Sequence, residues 1–298
     1  MRTSWKSVAI AKSLRAVALA VALLACLGEH DDCRAGPPLF TDDPETPGRG
    51  GWEINISHNI ERTREAFFME TPLFDINYGL VDNDQWKIEF QVLYLDSDEN
   101  GSHWGMGDLL VGWKYRFLEE KDHQFIASVY PQLLVPTGNE GVGLGGGNVE
   151  AQFPLQIGRH FCEEKVFVYG EIGYNVVLGA PKANSWKYGL AAQWGATERL
   201  ELMAEVAGLA FPGGAEPDDT FFNVGFKYDV TKRASLIASF GRSFHDVDRG
   251  TPDLLTFVGV QMMLGGSRAA SEGEEADGRR DTMSGREARL PGVPSLWR

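Results

Sequence analysis

Long apolar runs are missing from this 298-residue chain. The longest, Ala16–Leu27, would reach roughly 18 Å as a helix, short of the ~30 Å hydrocarbon core of a bilayer. A mean hydropathy of -0.23 likewise argues against a protein that crosses a membrane with helices. Cysteine is scarce. Two of the three, Cys26 and Cys33, fall in the N-terminal leader, and Cys162 stands alone beyond it. One thiol allows neither an intramolecular disulfide framework nor a CxxC metal site, so Cys162 reads as an unpaired turn residue. Positive charge is also short, with 28 Lys and Arg against 42 Asp and Glu and a net charge of -14. A phosphate backbone demands a basic face, which excludes nucleic acid as a partner. Catalytic signatures are lacking too: none of the six histidines sits in an H-x-S setting, and no G-x-S-x-G occurs. A hydroxyl nucleophile needs a positioned base, so the chain does not read as an enzyme.

What is present is alternation. Trp52, Ile54, Ile56 and Ile60 take one face of a stretch whose other face holds Glu53, Asn55, Ser57, Asn59 and Glu61. Side chains on a strand alternate with period two, so this is a strand apolar on one side and polar on the other. Twelve such stretches follow one another at 51–61, 67–78, 85–96, 108–118, 124–135, 149–160, 165–178, 185–195, 199–210, 220–230, 233–244 and 253–264. Short turns (Gly79–Asn83, Glu119–His123, Phe161–Glu164, Ala196–Glu198, Thr231–Lys232) alternate with mostly longer connections (Ser97–Gly107, Pro136–Asn148, Gly179–Asn184, Pro212–Asp219, His245–Pro252). An even number of antiparallel strands with short turns at one end predicts an all-β fold, a single 12-stranded antiparallel transmembrane β-barrel of the outer-membrane type. A soluble β-sandwich or lipocalin-like barrel shares the alternation but hides the apolar face inside. The strand count, the turn asymmetry and the aromatics near strand ends (Trp52, Trp86, Tyr115, Trp186, Trp194, Tyr228) favour the membrane form.

The ends of the chain read differently. Arg2, Lys6, Lys12 and Arg15 precede the apolar block, and Cys33-Arg34-Ala35 offers a cleavage site, which makes 1–35 a signal peptide. A cut after Gly28, or lipidation at Cys26 behind Leu23-Leu24-Ala25, stays open. Residues 36–50 predict an extended periplasmic lead-in, 51–264 the barrel, and 265–298 a disordered polar tail. Gly138–Gly147, with six glycines and no GK[ST] after it, predicts a mobile external loop lying over the barrel mouth rather than a nucleotide cradle.

If the apolar face meets lipid, the polar face lines the lumen. The inward candidates to contact a solute are Glu53, Glu89, Lys114, Arg116, Glu150, Phe167, Tyr169, Glu171 and Lys227. Asp75, Asp108, Glu205, Lys87, Lys187 and Arg242 join them, as do apolar Leu93, Leu110, Tyr130 and Phe221. The signs nearly balance, which predicts cross-strand ion pairs, since an unpaired charge in a confined lumen is costly. Twelve strands fall between the filled eight-stranded barrels and the open ones of 16–18, which predicts a narrow or gated pore.

At Pro37–Ile56 (PPLFTDDPETPGRGGWEINI), Glu70–Phe90 (ETPLFDINYGLVDNDQWKIEF), Gly107–Phe117 (GDLLVGWKYRF) and Leu133–Gly138 (LLVPTG), the chain resembles the bacterial family named for the MetA pathway of phenol degradation. The resemblance implies an outer-membrane β-barrel transporter for small aromatic or other hydrophobic compounds, and it brings no binding residues. Residues and resemblance together predict a passive channel with no cofactor and both termini in the periplasm. Its partners would be outer-membrane lipid, a small-molecule solute and the barrel-assembly machinery. A structural or adhesive barrel with a closed lumen is the alternative, and a lipid-modifying enzyme of the outer membrane the second.

Overall fold

The computed structural model describes residues 37–98, 101–214, 216–245 and 251–265. The leader, with its cleavage and lipidation signals, and the tail from residue 266 lie outside the described residues. The strands are β1 Trp52–Arg62, β2 Ala66–Tyr78, β3 Asp84–Ser97, β4 Gly101–Met106, β5 Leu109–Leu118, β6 Ile126–Val129, β7 Gln132–Val135, β8 Glu150–Phe161, β9 Val166–Val177, β10 Ser185–Gly195, β11 Leu200–Ala210, β12 Asp219–Thr231, β13 Ala234–Ser243 and β14 Leu254–Leu264. β4 and β5 are the two halves of one barrel strand, as are β6 and β7, so the wall has twelve strands. Every pairing is antiparallel, and β1 closes the barrel on β14 from Trp52↔Leu264 to Arg62↔Leu254. Closure leaves no edge along that seam, the requirement for a sheet in hydrocarbon.

The two interruptions have local causes. Between β6 and β7 stands Pro131, which has no N–H to give to a ladder. The wall stays sealed there, because Trp113 donates to the Pro131 carbonyl at 3.0 Å and Tyr130 donates to that of Pro154 at 2.9 Å. Between β4 and β5 lie Gly107 and Asp108, with Gly107 N–H on the Gln91 carbonyl at 3.0 Å. Half of the connection expected at Ser97–Gly107 is therefore strand, in a hairpin of β4 on β3.

Two short turns share a mechanism. Thr197 Oγ1 accepts from the N–H groups of Arg199 and Leu200 at 3.2 and 3.0 Å, and Thr231 Oγ1 accepts from those of Arg233 and Ala234 at 3.1 and 3.0 Å. A threonine hydroxyl that takes the next free N–H groups fixes a tight turn, and this explains the repeated Thr-x-Arg. The Glu119–His123 turn holds a single helical turn, α1, Glu120–His123.

The faces divide as the alternation requires. Phe153, Ile172, Leu190, Trp194 and Phe240 are each more than half exposed on the outside, whereas Glu53, Asn55, Ser57, Lys114 and Gln156 are buried inside. Aromatic pairs form two belts: Trp52–Tyr78 and Trp86–Trp113 near the short turns, Tyr94–Trp104 and Tyr174–Trp186 toward the other end. Amphipathic rings belong at such interfaces. Arg242 departs from its expected place. It lies on the exposed side of β13 between inward Gly241 and Ser243, at the end of the strand away from the short turns.

Candidate functional site

The lower lumen is filled by the chain's own lead-in. Residues 37–47, expected to run outside the barrel, lie within it, and Thr41, Asp43 and Thr46 are buried. The segment forms no strand; its polar groups are satisfied by the wall. Phe40 N–H and Thr41 N–H each donate to the Glu205 carboxylate at 2.7 Å, and the Asn223 amide donates to it at the same distance. Lys114 Nζ donates to Asp42 Oδ1 at 3.1 Å and to the Asp43 carbonyl at 2.7 Å. Ser239 Oγ donates to the Pro38 carbonyl at 2.7 Å. Leu39 packs on Ile126, Phe167, Tyr169 and Ala191. The Phe40 ring meets Phe221 edge-on at 5.1 Å and carries Lys187 Nζ 4.4 Å above its centre. Gly189 is required here, because a Cβ at that position would overlap the Thr41 side chain.

Above this plug opens a cavity of about 650 Å³. Its floor is Pro37–Phe40 and Asp42, and its walls include Glu53, Asn55, Ser57, Asp75, Lys87, Glu89, Lys114 and Lys187. Each of its lysines is held by carboxylates: Lys87 by Glu89 at 2.8 Å and Asp75 at 3.3 Å, Lys187 by Glu171 at 2.7 Å, and Lys114 by Asp42. Amides complete the lattice. Gln85 Nε2 donates to Asn77 Oδ1 at 2.7 Å and to the Tyr130 hydroxyl at 3.1 Å, and Gln156 Nε2 donates to Glu171 at 2.8 Å. At the rim away from the short turns Arg62 donates to both Asp253 oxygens at 2.8 and 3.0 Å, and this pairing holds the Asp253 carboxyl below the usual carboxylate range.

The sequence-derived candidates thus occupy several places. Glu53, Glu89 and Lys114 line the cavity, and Glu171 reaches it through Lys187. Phe167 and Tyr169 lie beneath Leu39 of the plug. Arg116 is bound at the short-turn end to the Asp82 carbonyl at 3.0 Å and to Glu119 at 3.2 Å. Glu150 accepts from Gln152 at 2.9 Å near the outer end of β8. Lys227 is buried on β12, opposite Glu201 in register. Asp108 has a different task from lining. Its two carboxylate oxygens accept Gly138 N–H and Gly146 N–H at 2.8 Å each. The loop 138–147 is thereby docked, with Leu144 buried on Leu93 and Leu95. Its glycines serve close approach as well as freedom: a Cβ on Gly138 would meet the Leu144 carbonyl and one on Gly145 would meet Asp108. Reasoning from sequence missed the plug, because PPLFTDDPETP carries no periodicity to place it.

A closed antiparallel barrel, apolar and belted outside and polar within, is an outer-membrane β-barrel. The chain belongs to the family described as "Putative MetA-pathway of phenol degradation", which matches residues 38–258. Among solved structures, the COG4313 outer membrane channel from Pseudomonas putida F1 superposes with a TM-score of 0.58 at 16% identity, covering 76% of this chain and 100% of that one. The NanC porin follows at 0.52 and 7% identity (71% and 100% covered), and the KdgM porin at 0.51 and 12% (72% and 99%). At such identities the likeness is one of fold. No curated protein sequence matches the chain.

Proposed function

We propose that the protein is a passive outer-membrane channel for small apolar or aromatic solutes, held closed at rest by residues 37–47. The observation that carries this reading is the cavity within a twelve-stranded wall, floored by a segment bound through side chains rather than by strand pairing. A segment joined to the wall by a few hydrogen bonds can leave without unzipping the barrel. Apolar Leu73, Leu110 and Phe221 among the lining polar groups suit a partly apolar solute better than a sugar. Both termini face the periplasm in this reading, lipid covers the outer face, the barrel-assembly machinery inserts the chain, and passage uses no cofactor and no chemistry. The filled lower lumen favours one other reading, a structural barrel that never opens. Planar-bilayer conductance separates the two. Deleting residues 37–47 should raise conductance severalfold and admit small aromatic solutes into liposomes, whereas an electrically silent and impermeable barrel with and without the segment would assign the structural role.

A further inference from the structure

One wall of the cavity is short of hydrogen-bond donors. Glu53, Asn55, Ser57 and Asn59 turn inward on successive rungs of β1, about 6.8 Å apart. The two asparagine amides are fixed. Asn55 Nδ2 donates to Glu53 at 2.9 Å and to Asp75 at 3.3 Å, and Asn59 Nδ2 donates to Glu70 at 2.6 Å. A carboxylate only accepts, so neither amide can turn over without losing its bond. Both carbonyl oxygens are left without a donor, together with Glu53 Oε2 and Ser57 Oγ. Asn223, across the cavity on β12, repeats the arrangement, with its nitrogen on Glu205 and its oxygen unpartnered. Glu53, Asn55 and Ser57 are at most 1% exposed, and buried acceptors without donors are rare in folded proteins.

The lysines that line the cavity are already engaged. Lys87, Lys114 and Lys187 already serve carboxylates. Carboxyl groups outnumber lysines along the cavity, eight to three, and carboxyl oxygens that lack a donor accept an ammonium N–H whichever of the eight are ionised. Asn55 faces Asp75 and Gln261, whereas apolar side chains stand beside Ser57 and Asn59: Leu73 is the register partner of Ser57 on one side, and Phe257 that of Asn59 on the other. A bare hydrated metal ion would gain nothing from those two side chains. We propose that the cavity binds a primary ammonium ion carried on a small aromatic body, an arylalkylammonium. Its N–H donors satisfy the unpartnered oxygens of the adjacent Glu53 and Asn55, whose side chains already meet at 2.9 Å, and its ring extends past Ser57 onto Leu73. Water can fill such a row at rest, but a site built from acceptors rejects a solute that brings no donors far more strongly than it rejects a change of shape. This inference rests on the channel reading and names the solute class for the same cavity.

Binding to the full-length barrel in a non-ionic detergent tests it, with three probes of nearly one shape: 2-phenylethylammonium, 2-phenylethanol and phenylacetate. Calorimetry should show the ammonium binding at least about tenfold tighter than the alcohol, and the anion weakest. Glu53→Gln should weaken the ammonium about tenfold and leave the alcohol within about twofold. Leu73→Ala leaves the Glu53–Asn55–Asp75 bonds intact and should cost the ammonium about threefold through lost contact with the ring, which keeps the test decisive if the first variant fails to refold. Equal binding of the three probes overturns the proposal, as does ammonium affinity indifferent to both variants, or full displacement by calcium chloride at matched ionic strength. Conductance of the same preparations separates the two readings. A barrel that binds the ammonium yet never conducts keeps the site and loses the channel; one that conducts and ignores charge does the reverse.

Discussion

Replacing Glu205 by alanine should unseat the luminal segment. The Glu205 carboxylate takes the N–H groups of Phe40 and Thr41 at 2.7 Å each, and it is buried in the lumen. A hydrogen bond to a charged group contributes about 1.5–3 kcal/mol net, so the pair accounts for roughly 3–6 kcal/mol of the docking. Even the lower figure moves the closed-to-open ratio by about a hundredfold. The remaining anchors at Lys114, Ser239 and Leu39 share the segment, so their contributions will not simply add to this one. Single-channel recording should show the alanine variant open for far more of the time than the parent. A thiol introduced by Thr41→Cys, at a position buried beneath the cavity floor and so protected from an impermeant maleimide in the parent background, should become reactive alongside Glu205→Ala. Glu205→Gln keeps a single, neutral acceptor and should fall between. If Glu205→Ala leaves both the closed time and the protection unchanged while the barrel remains folded, the segment is not held by this carboxylate and the gating argument fails.

Other perturbations probe the wall, the latch, the plug's second anchor and the orientation. Phe90→Arg places a charge on the lipid face and should destabilise the barrel by roughly 2–4 kcal/mol near the midplane, with Gln91→Arg, turned inward, costing much less; refolding titrations in urea with the order reversed would mean that the faces are wrongly assigned. Asp108→Ala removes the acceptor shared by Gly138 and Gly146 and should make the 138–147 loop cleave at least severalfold faster in limited proteolysis, without changing the melting of the barrel. Lys114→Met should also loosen the segment, since it strands Asp42 in the lumen. Combined with Glu205→Ala it should add less to the open time than the two single changes would together, and strict additivity would show that they act on separate elements. Cys162 is exposed in the β8–β9 turn, so an impermeant maleimide should label it in spheroplasts and not in intact cells; labelling in intact cells would reverse the orientation.

The wall was legible because period two is a local property. Glu53, Asn55 and Ser57 inside and Trp52, Ile54 and Ile56 outside follow from the pleat alone, and most strand ends fall within a residue or two of where turn chemistry places them. Exceptions arise where the local signal is weak. GSHWGM has only Trp104 and Met106 to mark an outward face, so β4 reads as loop until its pairing with β3 is seen. Arg242 reads as luminal because a charge is expected to avoid lipid, yet it stands on the exposed side at the end of its strand away from the short turns. The loop 138–147 reads as mobile because glycine is permissive, and nothing local reveals that Asp108, 30 residues before Gly138, pins it.

The plug was not legible, for a reason that bears on how it works. Its anchors lie 71 residues away for Asp43 and Lys114, 165 for Phe40 and Glu205, and 201 for Pro38 and Ser239. None of them imposes a repeat on the segment itself. All three use backbone groups of the segment rather than its side chains, and any sequence offers backbone groups. What the sequence did hold was the complement on the wall: inward lysines at 87, 114 and 187, and an inward glutamate at 205. Ion pairs within the wall satisfy Lys87 and Lys187 locally, through Asp75 and Glu171 on neighbouring strands and Glu89 on the same strand as Lys87. Lys114 finds its carboxylate on the segment instead, and Glu205 draws two of its donors from there. Burying either group unpaired would be costly, so these two groups are satisfied only while the segment is docked or water has replaced it. The docked state is therefore favoured by the same two residues whose removal should open the barrel.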